Sequence, residues 1–465
     1  MSRSRPRALV VLAALSALVG GLGPLGLARR VEAQALWGRS TTYLRGFVRP
    51  GADETLTYLP FTEAIELHAD RLGPEGLSLH TSFWGAVDLL ELQNRYRLTG
   101  DLASIYLAYR APETGRFKAL RGLELAVGRQ FVALGPTVLE QLDGGKLQYT
   151  HRSGFQLGLF GGVPSGVRVL SQSWPIDEDR YGYGYNWLAG ARVGYLSLGK
   201  LALGSSFVHR RYRGRLADQD WGFDASYQPT SWLDLSGTTT LSLVALRLKH
   251  ARASATFYLP KEVTLDVGFQ MHTPDLFVPR SSIFAVFAET TFHELRADAL
   301  WQVSRRVSVE AGYGRRFYGD GMAEAQGERP GANRVSVRGT VRYGADARGR
   351  AVLEAERIEA PDNAVNRVRL ATTYPFPFWR ERLRLTLDVD FYVLDELARE
   401  VRTSLTGAAY LEAALSEQLR LLAGGSVGTT TLMREASTLL VRLSWDFGVP
   451  SPSGAVRVQR GGYLR

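Results

Sequence analysis

From about residue 62 onward one pattern repeats along this chain: segments of nine to thirteen residues in which apolar and polar side chains alternate, separated by turn residues. A period of two belongs to a β-strand whose two faces meet different surroundings; a helix would show a period near 3.6. Residues 382–393 show it most cleanly, with Leu383, Leu385, Leu387, Val389, Phe391 and Val393 on one face and Arg382, Arg384, Thr386, Asp388, Asp390 and Tyr392 on the other. Val263, Leu265, Val267, Phe269 and Met271 alternate in the same way with Thr264, Asp266, Gly268, Gln270 and His272. Val335, Val337 and Val341 alternate with Arg334, Ser336, Arg338, Thr340 and Arg342. Near the end, Leu439, Val441, Leu443, Trp445 and Phe447 oppose Thr438, Leu440, Arg442, Ser444 and Asp446.

The number of segments, about twenty, narrows the fold further. A soluble sandwich also alternates, but it carries its charge outside and completes its core with seven to nine strands. Twenty strands do not persist as one open twisted sheet. Closing the sheet with apolar side chains outward and charged ones inward pairs every backbone group, as a lipid environment demands. The predicted fold is therefore all-β: a transmembrane antiparallel up-and-down barrel of 18 to 22 strands, an even number. No motif recurs at a fixed period of 40–50 residues, which argues against a propeller or solenoid.

Turn lengths alternate, as they do in such barrels. Short turns fall at 197–200, 229–232, 260–262 and 345–348, and long ones at 133–141, 163–186, 273–281, 319–332 and 395–401. Residues 282–304 read either as one long strand or as a hairpin. The expected organisation is a signal peptide at 1–35, an N-terminal segment or first strand at 36–61, the barrel at 62–448 and a basic periplasmic tail at 449–465. The leader reading rests on Arg3, Arg5 and Arg7, the apolar run Ala8 to Ala28, and the small-x-small site Ala33-Gln34-Ala35. No later segment reaches the roughly 18 apolar residues of a membrane helix. Export, barrel and aromatic-rich strand ends (Phe257, Tyr258, Phe317, Tyr318, Tyr374, Phe376, Phe378, Trp379) together imply a Gram-negative outer membrane. The partners expected there are outer-membrane lipid and lipopolysaccharide, and the barrel-assembly machinery. Trp445 and Phe447 are the aromatics of the last strand.

The chain has no cysteine, so disulfides, thiolate metal sites and a lipid anchor on cysteine are out. The formal charge is +10; losing residues 1–35 removes five arginines and one glutamate and leaves +6, too weak and dispersed to indicate nucleic acid. With the outer face committed to lipid, function falls to the lumen and loops. Arg334, Arg338 and Arg342 come from one strand, Glu354 and Glu356 from the next, Arg367 and Arg369 from the one after, then Arg384, Asp388 and Asp390. Adjacent strands thus alternate in sign. Such a ladder stiffens a wall by cross-strand pairing and also sets a transverse field on passing solutes. The loop 163–186 is the candidate plug or substrate loop. It holds Trp174, Asp177, Glu178, Asp179, Arg180, Tyr181, Tyr183 and Tyr185 and ends at Trp187, a composition suited to stacking on and hydrogen-bonding sugar rings. The tail carries Arg457, Arg460 and Arg465 and reads either as solvated chain or as a docking segment for a periplasmic partner.

Catalysis is not indicated. Gly424-Gly425-Ser426-Val427-Gly428 matches G-x-S-x-G but lies inside a strand pattern rather than at a strand–turn–helix elbow. The seven histidines are scattered singly, and no metal-ligand spacing or phosphate loop is present, so no cofactor is expected. At 121–162, the step Gly128-Arg129-Gln130, a polar loop and then Leu142-Asp143-Gly144-Gly145 resemble a hairpin of alginate-export-type barrels and their porin-like relatives. That resemblance covers about forty residues and implies a wide monomeric channel that releases an anionic polysaccharide or passes small solutes. In it Arg129 and Asp143 match the motif, and the lumen is rich in arginine to attract the polyanion. The expected function is a passive channel, with polysaccharide export ahead of a general porin and a structural or adhesive barrel third. A periplasmic polysaccharide-export partner goes with the first reading.

Overall fold

The computed structural model describes residues 36–50, 55–70, 72, 76–90, 98–112, 120–137, 139–165, 186–198, 200–212, 214–273, 291–318, 331–344, 347–360, 364–377, 382–398, 401–429 and 436–448. The expected signal peptide, the basic tail and loop residues Trp174 to Tyr185 lie outside the described residues. The wall starts with β1 (Leu36–Pro50), β2 (Thr55–Tyr58), β3 (Pro60–Asp70), β4 (Leu77–Asp88), β5 (Leu98–Arg110), β6 (Leu123–Ala133), β7 (Leu139–Thr150) and β8 (Phe155–Pro164). It continues through β9 (Trp187–Leu198), β10 (Leu201–Tyr212), β11 (Arg215–Thr230), β12 (Leu233–Ser242), β13 (Arg247–Leu259), β14 (Val263–His272), β15 (Phe292–Gln302) and β16 (Val307–Tyr318). It ends with β17 (Gly331–Tyr343), β18 (Gly349–Glu359), β19 (Ala364–Pro375), β20 (Leu383–Ala398), β21 (Val401–Ala414), β22 (Leu419–Gly428) and β23 (Ala436–Gly448).

Each strand pairs antiparallel with its sequence neighbour, and β1 pairs with β23 from Trp37↔Gly448 to Val48↔Ser437, which closes the sheet. Both β2 and β3 pair with β1 and are separated only by Leu59, so they form one wall strand and the barrel has 22. This is the transmembrane antiparallel barrel that the alternation predicts, at the upper end of the expected count. Segment 36–61 is part of the wall: it supplies the whole first strand and the start of the second. Among the described residues of 282–304 there is a single strand, β15. Twenty-two strands about 4.8 Å apart make a circumference of roughly 105 Å across the strands, enough for a water-filled lumen.

Both chain ends of the barrel lie at one rim, called here the terminal rim; the opposite rim is distal. All four predicted short turns lie at the terminal rim and all five predicted long ones at the distal rim, though 133–141 shrinks to residues 134–138 and 395–401 to 399–400. At the terminal rim, Lys261 and Glu262 take φ of 64° and 57°, as the centre of a tight hairpin requires.

Register decides which face each side chain takes, because a strand's period is two. The outer wall is exposed and apolar, with Val267, Leu295, Val337, Leu353, Leu370, Val389, Leu411 and Trp445 among its side chains. The aromatic pairs at strand ends split between the faces. Phe257 and Phe317 stand outside, while Tyr258 and Tyr318 pair with the lumen-side Thr264 and Phe292, so only one of each pair belongs to an outer ring. That split corrects the expectation that both ring residues sit in the girdle.

Candidate functional site

The lumen wall from β14 to β20 is a lattice of ion pairs. Arg338 reaches Glu310 on one side and Glu354 on the other, each at 3.1 Å. Arg334 binds Glu356. Arg367 holds Asp390 with two bonds of 2.8 and 2.7 Å and lies 3.8 Å from Glu354 and 3.7 Å from Glu356. Arg369 takes Asp388 at 2.9 and 2.5 Å. The columns continue with Arg316 to Glu294 at 2.7 Å and Arg296 to Asp266 at 3.5 Å. Cross-strand neighbours on one face stand about 5 Å apart, so opposite charges placed at matching register meet without further help from the fold. Glu354 and Glu356 are buried beneath the guanidiniums that hold them. The structure thus brings together nearly every residue of the ladder expected from the sequence.

Two of those residues behave differently. Arg342 and Arg384 sit at the terminal rim, and neither has a carboxylate within ion-pair reach among the described residues. Arg342 directly opposes Arg350, an unfavourable like-charge pair, and Arg384 opposes Glu412 in register without bonding it. Arg420 extends the row onto β22, and Arg442 stands at mid-height on β23. Among the described residues the lattice from β14 to β20 is ion-paired at mid-height, and Arg342, Arg350, Arg384 and Arg420 stand as uncompensated cations at the terminal rim. The alternation alone places Arg350, Arg420 and Arg442 on this face; that they lack partners is visible only once the strands are paired.

A second feature was not expected. Residues 134–137, after β6, bend into the lumen as a short 3-10 turn (Gly135–Thr137) over β10, β11 and β12. Thr137 Oγ1 donates to Ser206 Oγ at 2.9 Å, and Thr240 Oγ1 donates to the Pro136 carbonyl at 3.4 Å. Glu140 pairs with Arg210, and Val132, Leu134, Leu142, Phe160, Leu188 and Val208 form a small buried apolar cluster under the bent hairpin. The wall beneath is lined by small residues: Gly158, Gly190, Gly204, Ser206 and Gly222. A Cβ on Gly222 would stand 2.6 Å from Thr137 Cγ2 and 2.7 Å from Pro136 Cγ, so glycine there is a seat for the loop. This turn is the lumenal obstruction among the described residues; residues 166–185 of the expected plug loop lie outside them.

Other expected site residues are placed as follows. Trp187 is the first residue of β9 and faces outward opposite Arg211, stacked on His209 at 5.0 Å; Leu188 and Arg192 take the lumen positions. That corrects its assignment to a lumenal plug. Arg129 and Asp143 do pair, at 2.7 and 2.9 Å, but they share a face with Val127 and Phe131 on the outer wall. The arginine of the hairpin motif, whose facing the sequence leaves open, therefore adds nothing to the lumen. Trp445 and Phe447 lie on the outer face of the closing seam, opposite Ser40 and Gly38. His250 and His272 face each other in the lumen, with ring centroids 5.9 Å apart.

The fold and lumen together define the class: a wide transmembrane β-barrel with a charged interior and an inserted loop. No family model matches the chain, and no curated protein matches it in sequence. Solved structures do. The chain is similar to the PapC usher in an Escherichia coli P pilus tip assembly intermediate (TM-score 0.50, 10% identity, 91% of this chain and 62% of that one). It is also similar to the P pilus usher translocation pore (0.49, 10%, 88% and 100%) and to the Pseudomonas aeruginosa protein OccK11 (0.41, 12%, 90% and 98%). At these identities the likeness is one of fold.

Proposed function

We propose that this protein is a passive channel of the Gram-negative outer membrane, most specifically a conduit through which an anionic polysaccharide leaves the periplasm. The observation that carries this reading is the row of lumenal arginines at the terminal rim, Arg342, Arg350, Arg384 and Arg420, which have no carboxylate partner among the described residues. With both termini periplasmic, cations at that mouth raise the local concentration of a polyanion arriving from inside, and the ion-paired lattice above lets it move on without being trapped. The basic tail, with Arg457, Arg460 and Arg465, extends the same charge toward a periplasmic export partner.

The test is single-channel conductance of the refolded protein with an acidic polysaccharide added to one side at a time. Polymer should block the open state from the terminal rim, and changing Arg342, Arg350 and Arg384 together to serine should relieve the block about tenfold in polymer concentration, mostly at low salt. Conductance indifferent to polymer supports the second reading, a general porin for small solutes, which the inserted loop favours because it narrows the lumen. A barrel that never conducts would be structural or adhesive.

A further inference from the structure

The wall is not equally sealed all round. The ladder between β5 and β6 runs only from Ile105↔Arg129 to Arg110↔Glu124, so the distal half of β5 faces no strand on that side. The cause is the bent hairpin: as β6 and β7 turn into the lumen to place residues 134–137, they leave β5 behind. Gly128, at φ +130°, marks the point of parting, where a Cβ would stand 2.3 Å from the Ile105 carbonyl oxygen.

Side chains stand in for the missing backbone bonds. The Leu102 carbonyl accepts from Arg129 Nη1 at 3.1 Å, and the Ala103 carbonyl accepts from Gln141 Nε2. Arg129 is in turn clamped on Asp143 and lies 3.6 Å from Asp101. Gln141 is buried, and its Oε1 has no hydrogen-bond partner among the described residues. Outside the gap lies a cavity of about 450 Å³ lined by Leu102, Ile105, Val127, Gly128, Arg129, Asp143 and Gly144. Charged side chains at mid-depth of a lipid-facing wall are costly and, where kept, mark sites rather than walls. A continuous ladder would have satisfied the same carbonyls without a charge.

We infer that the gap between β5 and the bent β6–β7 hairpin is a lateral portal between lumen and membrane, latched by Arg129 and Asp143, which admits a single-chain amphiphile with an uncharged polar head. Leu102, Ile105 and Val127 take the acyl chain, and the free Gln141 Oε1 accepts a hydroxyl or amide proton from the head. An anionic head is disfavoured, since two carboxylates already surround the one guanidinium. The cavity is at the small end for ligand pockets, which suits one chain rather than two.

The natural chain has no cysteine, so labelling is unambiguous. The full-length protein carrying Ala103→Cys and Phe131→Cys, positions that would oppose each other if the β5–β6 ladder continued past Ile105↔Arg129, is reconstituted in vesicles containing a monoacylglycerol with a photoactivatable chain. It is examined with the two thiols bridged by a short cleavable reagent, and again after cleavage. Before bridging and after cleavage, irradiation should mark the lumen-facing Ser104 and Tyr106 as well as the outer Ile105 and Val127. With the bridge in place the lumen-side marks should fall at least tenfold while the outer marks persist. In the otherwise native protein, Arg129→Ala with Asp143→Ala should raise the lumen-side marks several-fold. Marks confined to the outer residues in the natural chain and in the open thiol pair alike would overturn the portal and leave a shallow lipid groove. Lumen-side marks unaffected by the bridge would equally overturn it, since the amphiphile would then be entering from the water.

Discussion

Replacing Gly222 by tryptophan is expected to expel residues 134–137 from the lumen and raise single-channel conductance roughly twofold, because the loop narrows the water-filled path. The loop is held by weak, local contacts: one hydroxyl pair at 2.9 Å, one long hydrogen bond at 3.4 Å, and Leu134 in its apolar cluster. A Cβ on Gly222 already collides with Thr137 and Pro136, and an indole would occupy the seat outright. The β10–β11 and β11–β12 ladders use backbone groups only, so the wall should survive and the unfolding transition should move little. A control at Gly339, where a Cβ would meet nothing within 4 Å on the outer wall, should leave conductance unchanged. If the Gly222 variant folds and conducts like the natural protein, the loop is not the constriction.

Removing both Glu354 and Glu356 should have the largest effect on stability. Together they hold Arg334, Arg338 and Arg367, so Glu354→Ala with Glu356→Ala leaves these three cations, on the two strands that flank β18, with only Glu310 and Asp390 to balance them. Breaking a buried pair from one side is more damaging than never having it, since the surviving charge stays where it is. The expected loss is about 2–3 kcal/mol for each carboxylate, below the fully buried value because Arg334 and Arg338 remain in part open to lumen water. Urea unfolding of the vesicle-reconstituted barrel should show it as an earlier midpoint. The glutamine pair at the same positions keeps a hydrogen-bond acceptor and should recover part of the stability. Both double variants should shift the reversal potential toward anion preference by the same amount, because both delete two negative charges. An unfolding midpoint identical to that of the natural protein would show the lattice to be ornamental to stability.

Much of this architecture is legible in the amino-acid sequence. Strand positions, the inward and outward faces and the rims of the short and long turns all follow from alternation and punctuation, which are local. The charge ladder was readable for the same reason: Arg334, Glu356 and Arg367 each occupy the polar parity of their own strand, and antiparallel neighbours then meet across about 5 Å. Arg129 shows where that logic met a conflict. Strict alternation with Leu125 and Val127 puts it outside, but an arginine in a lipid-facing position contradicts the pattern that identified the barrel, so its facing stayed open until the broken β5–β6 ladder supplied a reason for it.

What sequence alone determined, then, was the closed sheet, its approximate strand number and the two faces of the cleanly alternating strands, since these depend on a period of two and on pairing every backbone group in lipid. Tertiary structure alone decided which loop enters the lumen, which arginines lack partners and where the wall parts. Residues 134–137 have no composition that sets them apart; they enter because Gly158, Ser206 and Gly222, on strands further along the chain, leave a seat of the right depth. Arg342 is as basic as Arg338 and on the same face, yet one opposes an arginine and the other a glutamate. Whether a charge is neutralised depends on what the neighbouring strand brings to the same height, and that register exists only once the barrel has closed.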